Sequence, residues 1–204
     1  MARAPLGHGA VVHTGRVKLV ALAGLVAILV AGCGGGSKAA EPAPPPTLPA
    51  SALPELNAAA RVLGTAALAA DSFDPKGVAK LLEDGGYVVG SEREFAGRGQ
   101  TFDHVVARTL RFAGEQGARG YATWVAGHAA DFLGKAKREQ SLGLGESDAL
   151  FSLVRCAVCK KQQPAFVSAW RHGNTVAFLL GAGPGVTRET FASLARRLDE
   201  RISR

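Results

Sequence analysis

The chain has 204 residues, of which 47% are hydrophobic and 20% charged, a composition typical of globular proteins. This length corresponds to one domain of ordinary size. The formal net charge of +7 is spread along the chain rather than gathered in a basic patch. The sequence therefore excludes a nucleic-acid-binding surface of the usual kind.

The first segment combines two positive charges with a short apolar run. Arg16 and Lys18 precede 13 apolar or small residues, Leu19–Ala31. A charged start, a short apolar region and small residues before a cleavage point are typical of a secretory signal. The run is shorter than the roughly 20 residues that cross a bilayer. We therefore predict a signal peptide over residues 1–32, with an uncleaved membrane anchor as the less favoured alternative.

The four residues Val30-Ala31-Gly32-Cys33 resemble the lipobox of bacterial lipoproteins. The resemblance implies that residues 1–32 are removed and that Cys33 carries the lipid, with palmitate as an expected acyl group. The protein would then be held on the outer face of the cytoplasmic membrane, or in the outer membrane if the cell is Gram-negative. Loss of Arg3, Arg16 and Lys18 lowers the formal net charge from +7 to +4, which favours an anionic membrane surface only weakly.

Residues 34–50 are rich in glycine, serine, alanine and proline. Glycine and serine make a chain flexible, and clustered prolines make it semi-rigid and extended. The segment has little apolar surface to pack. We therefore expect a tether over residues 33–50, followed by a single domain over residues 51–204.

The first half of this domain is predicted to contain three helices and two strands. Alanine-rich Leu53–Ala70 has helical spacing, and residues 72–86 suggest a second helix with Asp74 as its N-cap. Tyr87–Phe95 and Thr101–Phe112 are predicted to form an antiparallel hairpin. The clearest helix follows, and residues 135–147 after it are expected to form a surface loop. The apolar stripe of that helix is Tyr121, Trp124, Val125, His128, Ala129, Phe132 and Leu133.

The second half is predicted to contain three strands and a final helix. Ala149–Val154 has strand character, and Ala165–Arg171 and Thr175–Gly181 form a hairpin around His172-Gly173-Asn174. Thr187 is expected to cap the last helix. The order α-α-β-β-α-β-β-β-α predicts an α+β fold in which helices pack on an antiparallel sheet of about five strands.

Cys156 and Cys159 are the two cysteines that follow Cys33. Outside the cytoplasm they would lie where disulfides persist, and a structural disulfide is the favoured interpretation. The C-x-x-C spacing also suits a thiol–disulfide redox centre, although the usual strand–helix frame is not evident. A metal half-site would need two further ligands, and free thiols are the remaining possibility.

Other candidate residues favour structural roles. His128 lies on the apolar helix stripe, where a packed histidine is expected; His104 is treated alike, and His172 is expected to be solvated in its turn. The segment Gly181–Gly185 matches no phosphate-binding pattern and is interpreted as a tight turn. The arginines of the last helix are expected to form a solvated face. The sequence therefore predicts no catalytic residue, no metal site and no cofactor.

The proline-rich tether and three further segments resemble secreted lipoproteins of high-GC actinobacteria, which are similar to small α+β ligand-binding or sensor-like ectodomains. The segments are Leu53–Leu56, Ala169–Asn174 and Leu194–Asp199. This resemblance implies no functional residue. The main hypothesis is a non-enzymatic, membrane-anchored lipoprotein that binds a small or lipidic ligand or an envelope protein. The alternative is an envelope thiol–disulfide oxidoreductase that uses Cys156 and Cys159.

Overall fold

Seven strands form one sheet in the computed structural model, which describes residues 42–129, 136–153 and 163–204. The spatial order is β1-β2-β3-β7-β6-β5-β4, and every neighbouring pair is antiparallel. The strands are β1 Asn57–Leu63, β2 Tyr87–Ala96, β3 His104–Phe112, β4 Ala136–Glu139, β5 Glu146–Leu153, β6 Ala165–His172 and β7 Thr175–Ala182. The helices are α1 Thr65–Ala70, α2 Pro75–Asp84, α3 Glu115–Gly127 and α4 Arg188–Ile202, with a 3-10 turn at Ala50–Ala52.

The predicted α+β class with an antiparallel sheet is confirmed, but the sheet has seven strands instead of about five. Both additional strands, β1 and β4, lie at the edges of the sheet. Residues 57–63, expected to be helical, pair with β2 instead. Residues 136–139, expected to be loop, pair with β5.

Each face of the sheet carries its own hydrophobic core. On one face, here called the α3 face, helices α1, α2 and α3 pack with Leu110, Phe112 and Phe178. On the other, the α4 face, helix α4 packs with Phe95, Leu179 and neighbouring side chains. Strand residues alternate between the two faces, so a strand such as β7 is buried on both sides.

Helices α2 and α4 start where the sequence predicts them. The Asp74 carboxylate accepts a hydrogen bond from the Gly77 amide at 3.0 Å, and Pro75 occupies the first turn of α2. The Thr187 hydroxyl accepts one from the Thr190 amide at 3.3 Å, at the start of α4. Both side chains satisfy amides that have no partner within the helix.

The proline-rich segment Ala43–Pro49, expected to belong to a tether, packs against the α4 face. Leu48 is fully buried and Pro45 is buried. The Pro45 carbonyl accepts hydrogen bonds from Ser91 at 2.5 Å and Thr109 at 3.3 Å. An extended proline segment keeps its carbonyls free as acceptors, and this property allows it to dock on side chains of β2 and β3.

Arginines of α4 complete this docking rather than forming a purely solvated face. Arg201 donates to the Thr47 carbonyl at 2.7 Å, and Arg197 donates to the Ala52 carbonyl at 3.0 Å. The N-terminal segment is therefore held between the sheet and the last helix.

The apolar run Leu19–Ala31, the lipobox and residues 34–41 lie outside the described residues. Within the described ranges, no helix combines the length and the apolar character that a membrane crossing requires.

Candidate functional site

The residues that the sequence singled out for chemistry are not those that the structure brings together. Cys33, Cys156 and Cys159 lie outside the described residues, so the lipid site and the state of the cysteine pair stay predictions. Phe132 and Leu133, at the end of the predicted helix stripe, lie outside them as well.

The three histidines of the domain are placed apart. His104 starts β3 beside Ala182, whereas His172 ends β6 beside Thr175, at the opposite end of β7. His128 caps α3, where its ring stacks on Trp124 at 4.7 Å and its Nδ1 lies 2.8 Å from the Trp124 carbonyl oxygen. His172, expected to be solvated, is half-buried with Nε2 2.7 Å from Asp199 Oδ1, because α4 packs over the end of its strand.

A group of four charged residues lies on the α3 face, and we call it the ionic cluster: Arg61 of β1, Asp71 after α1, Glu92 of β2 and Arg108 of β3. Arg61 Nε is 2.6 Å from Glu92 Oε1, and Arg108 Nη2 is 2.9 Å from Asp71 Oδ2. Arg61 also pairs with Asp71, and Arg108 Nε also pairs with Glu92. Each carboxylate is thus shared by both guanidinium groups.

The register of the sheet explains this arrangement. Arg61 lies directly opposite Glu92, and Glu92 lies directly opposite Arg108. Directly opposed residues point to the same face of a sheet. Asp71 reaches the group because α1 follows β1 after one residue and returns over the strand.

Burial and charge act in opposite directions on Glu92, whose side chain is 4% exposed. Burial alone would raise the pKa of this carboxyl, but the hydrogen bonds and charges of Arg61 and Arg108 outweigh that effect and lower its pKa below the usual value. The hydrogen bond with Glu92 in turn raises the pKa of Arg61. Glu92 is therefore a buried carboxylate that stays ionised.

The charged surface continues beyond the ionic cluster along β2 and β3. His104 Nε2 is 2.9 Å from Glu94 Oε1, on the same face as Glu92 and Arg108. The guanidinium carbon of Arg108 lies 5.7 Å from the ring centre of Phe178, a cation–π geometry. We call the ionic cluster with Glu94 and His104 the charged strip. Its two arginines are neutralised by Asp71 and Glu92, which suits recognition of a polar surface better than proton transfer.

A row of four aromatic rings runs from the sheet to helix α3 on the same face. Tyr87, Phe112, Tyr121 and Trp124 follow one another with ring centres 5.6, 5.8 and 6.0 Å apart. The Tyr87 hydroxyl donates to the Leu63 carbonyl at 2.6 Å. Burial raises the pKa of Tyr121 to about 12, so its hydroxyl stays neutral. This row packs the helices onto the sheet.

A shallow groove of about 490 Å³ opens where α2 ends and α3 begins. Five of its lining residues are glycines, beside Leu81, Asp84 and Gln116. A Cβ at Gly117 would lie 1.8 Å from the Gly85 carbonyl oxygen, so the glycines allow the two helices to touch. The groove follows from this close packing.

Of the segment Gly181–Gly185, the first two residues end β7 and residues 183–185 form the expected tight turn before α4. A Cβ at Gly183 would lie 2.2 Å from the Thr101 carbonyl oxygen, because the turn passes directly over the backbone that leads into β3. In the ranges 42–129, 136–153 and 163–204, no three His, Cys, Asp or Glu residues are grouped so that they could hold a metal ion.

Sequence reasoning missed Arg61, Asp71 and Glu92, and it assigned His104 a structural role. The available signal was the alternation Glu92-Arg93-Glu94, which puts two carboxylates on the same face of β2. Arg61, one partner of Glu92, belongs to β1, a segment expected to be helical. The complete cluster could therefore not be found without the pairing of β1.

Comparisons with known proteins give little further information. No family model matches the chain, and no curated protein matches it. Among solved structures, the chain is similar to the extracellular domain of PknH from Mycobacterium tuberculosis, with 10% sequence identity and a TM-score of 0.48. That similarity covers 75% of this chain and 88% of the other.

Proposed function

We propose that the protein is an extracytoplasmic lipoprotein, anchored by lipid on Cys33, whose α+β domain acts by binding an envelope partner rather than by catalysis. The observation that carries this proposal is the charged start, short apolar run and Val30–Cys33 sequence. Nine residues separate Cys33 from Ala43, where the docked segment begins. Nine residues extend to about 30 Å at most, so the domain would stay close to the membrane.

The charged strip supports an envelope protein as the partner. Its outer members, Arg61 and Glu94, have side chains 47% and 50% exposed, which makes them accessible to a second protein. A lipidic ligand needs an enclosed apolar cavity, whereas the groove between α2 and α3 is open and lined by glycines. This groove therefore gives no support to a lipidic ligand.

The anchoring is tested by Cys33→Ser, with Cys156→Ser as a matched control in the same chain. Cells are fed a clickable palmitate analogue, and the label and the membrane fraction are measured. We expect Cys33→Ser to lose both the label and membrane retention, while Cys156→Ser keeps them. Full labelling of Cys33→Ser would sink the lipoprotein proposal.

The binding role is tested by photo-crosslinking in intact cells. A photoreactive residue replaces His104 at the end of the charged strip, and Glu83 on the exposed side of α2 serves as the control position. We expect an adduct with one envelope protein from position 104 and none from position 83. Identical adduct patterns from both positions would argue against the strip as the binding surface.

A thiol–disulfide oxidoreductase is the second candidate, and the C-x-x-C spacing of Cys156 and Cys159 favours it. The two cysteines lie outside the described residues, in sequence between the end of β5 at Leu153 and the start of β6 at Ala165. Turnover in an insulin-reduction assay that is lost in Cys156→Ser would support this candidate over the first.

A further inference from the structure

Strand β1 presents a regular, exposed edge. It pairs with β2 in an unbroken register from Asn57–Ala96 to Leu63–Gly90, and in the described part of the chain β2 is its one neighbouring strand. Its first six residues are all exposed, and Val62 is 61% exposed. The outward backbone N–H and C=O groups of such a strand are a template for pairing with another strand.

The opposite edge of the sheet is protected in the ways that proteins usually protect edges. Strand β4 has four residues, and Lys137 and Arg138 place two positive charges on it. Short length and charged side chains discourage edge-to-edge pairing. Strand β1 has seven residues and a single charged side chain, Arg61. The protection applied to β4 is thus missing from β1.

We propose that two copies of this chain pair through β1, antiparallel and about a two-fold axis that passes beside Ala60. A closed two-fold interface uses the same surface on both copies. In this register Ala60 faces Ala60 of the partner copy, and Val62 faces Ala58. Alanines on both sides of the axis let the two backbones approach without a clash of side chains.

Charge complementarity selects this register. Arg61 of one copy faces Ala59 of the other, and Glu94 lies directly across from Ala59 on β2. The small alanine leaves the half-exposed Arg61 a clear path to Glu94 of the partner copy. The two-fold axis makes this ion pair twice. A register centred on Arg61 would instead oppose two like charges, which is unfavourable.

The expected affinity is modest because one strand with small side chains buries less area than the roughly 1,600 Å² of a standard interface. We expect a dissociation constant of about micromolar order. The pairing itself does not require lipidation. Anchoring at a membrane, which rests on the proposed function above, would raise the effective concentration of the two edges.

The first experiment is disulfide trapping in the full-length chain. Directly opposed residues of an antiparallel pair have Cα atoms about 4.5–5.5 Å apart, within the range that a disulfide spans. We expect Ala60→Cys to give a covalent dimer under mild oxidation, with mass spectrometry locating the link at position 60 in both chains. Lys137→Cys on β4 is the matched edge-strand control and should stay monomeric. Equal trapping by the two variants would overturn the proposal.

The second experiment measures the dimer without added cysteines, by analytical ultracentrifugation of the full-length chain in detergent. We expect Ala60→Lys and Glu94→Arg each to weaken the dimer about tenfold or more, since each opposes like charges across the axis. Residues 60 and 94 are exposed, so circular dichroism should be unchanged.

A wild-type chain that stays monomeric up to about 100 micromolar would overturn the proposal. Cys33→Ser should still dimerise in this assay, which separates the pairing from the anchoring.

Discussion

At Glu92, the effect of burial on the carboxylate is opposed by the charges of two arginines. Its carboxylate is 4% exposed and bonded to Arg61 and Arg108, one on each side. A buried ion pair contributes little net stability compared with an apolar pair, but removal of one partner leaves the other charge buried and unpaired. The consequence for this protein is an asymmetric sensitivity to mutation. Removal of Glu92 alone should lower the free energy of unfolding by more than the net contribution of its ion pairs to stability.

We predict that Glu92→Gln lowers the free energy of unfolding by about 2 kcal/mol, since Arg108 then keeps Asp71 as its one carboxylate partner. Urea denaturation followed by tryptophan fluorescence measures the change. Glu83→Gln, an exposed carboxylate on α2, should change stability by less than about 0.5 kcal/mol. Equal effects of the two substitutions would contradict this account of the ionic cluster.

The lowered pKa of Glu92 also predicts a dependence of stability on pH. A carboxyl whose pKa is depressed in the folded state stabilises the fold above its ordinary pKa and loses that contribution as the pH falls. The ordinary value is 4.5. Between about pH 5 and about pH 3, the wild-type chain should therefore lose more stability than Glu92→Gln. Parallel stability curves for the two proteins in this range would contradict the ionised assignment.

At the scale of elements, the contact between α2 and α3 requires a residue without a side chain at position 117. The two helices touch where the Gly85 carbonyl meets Gly117. A methyl group at position 117 would overlap that carbonyl, and neither backbone can move without displacing its helix. The glycine is therefore required by packing rather than by backbone conformation.

We predict that Gly117→Ala destabilises the protein by about 3 kcal/mol, the upper range for overpacking a close contact. At Gly120, about one turn further along α3, an added Cβ would meet no atom within 4 Å. Gly120→Ala should therefore stabilise the helix by about 0.5–1 kcal/mol through higher helix propensity. Thermal denaturation of both variants tests this difference in sign, and the same sign for both would refute it.

The docked N-terminal segment gives a second prediction for an element. Leu48 is fully buried on the α4 face, so Leu48→Ala should cost about 2–4 kcal/mol. Pro46→Ala is the matched control, because Pro46 is exposed, and it should change stability by less than about 0.5 kcal/mol. A Leu48→Ala variant as stable as the wild type would show that residues 43–49 are not part of the folded domain.

Elements are predictable from the sequence wherever one of their faces is buried. Strands β2, β3, β6 and β7 and helices α2 and α4 have observed boundaries close to the predicted ones. Helix α3 begins earlier than its apolar stripe suggests. These segments carry buried apolar residues at regular spacing, which is the signal that periodicity detects.

The two missed strands are the edge strands, and the reason is physical. The exposed residues of β1 give no alternation, while its alanines favour a helix by intrinsic propensity. Backbone pairing with β2 and the Arg61–Glu92 contact override that propensity. Strand β4 has no buried residue, so its polar sequence resembles that of a loop. Because the ionic cluster requires β1, an error in one element also concealed the candidate site.

At the scale of the whole molecule, one sheet supports both hydrophobic cores. Strands β3, β6 and β7 contribute residues to each core. If the strands separate, both cores lose the sheet residues against which their helices pack, so the two cores should unfold together. This arrangement makes the domain a single cooperative unit although its cores lie on opposite faces.

We predict a single unfolding transition, shifted by a truncation on either face. Val125→Ala on α3 and Leu198→Ala on α4 remove buried side chains from different cores. Each should lower the urea midpoint of the same transition. The free energy of unfolding should fall by about 2–4 kcal/mol in Leu198→Ala and by somewhat less in Val125→Ala. Circular dichroism and tryptophan fluorescence should report coincident curves. Two separate transitions in either variant would contradict a shared sheet.

The Pro45 carbonyl, which accepts hydrogen bonds from both Ser91 and Thr109, has a mechanical consequence. Any pull on the chain upstream of Ala43 first loads Arg111 of β3, which donates to the Ala43 carbonyl at 3.2 Å, and then Ser91 and Thr109. The force therefore enters through β2 and β3 and is distributed across their ladder in the interior of the sheet. Strand β1 follows the segment in sequence, so it should receive the tension only after these contacts have been loaded.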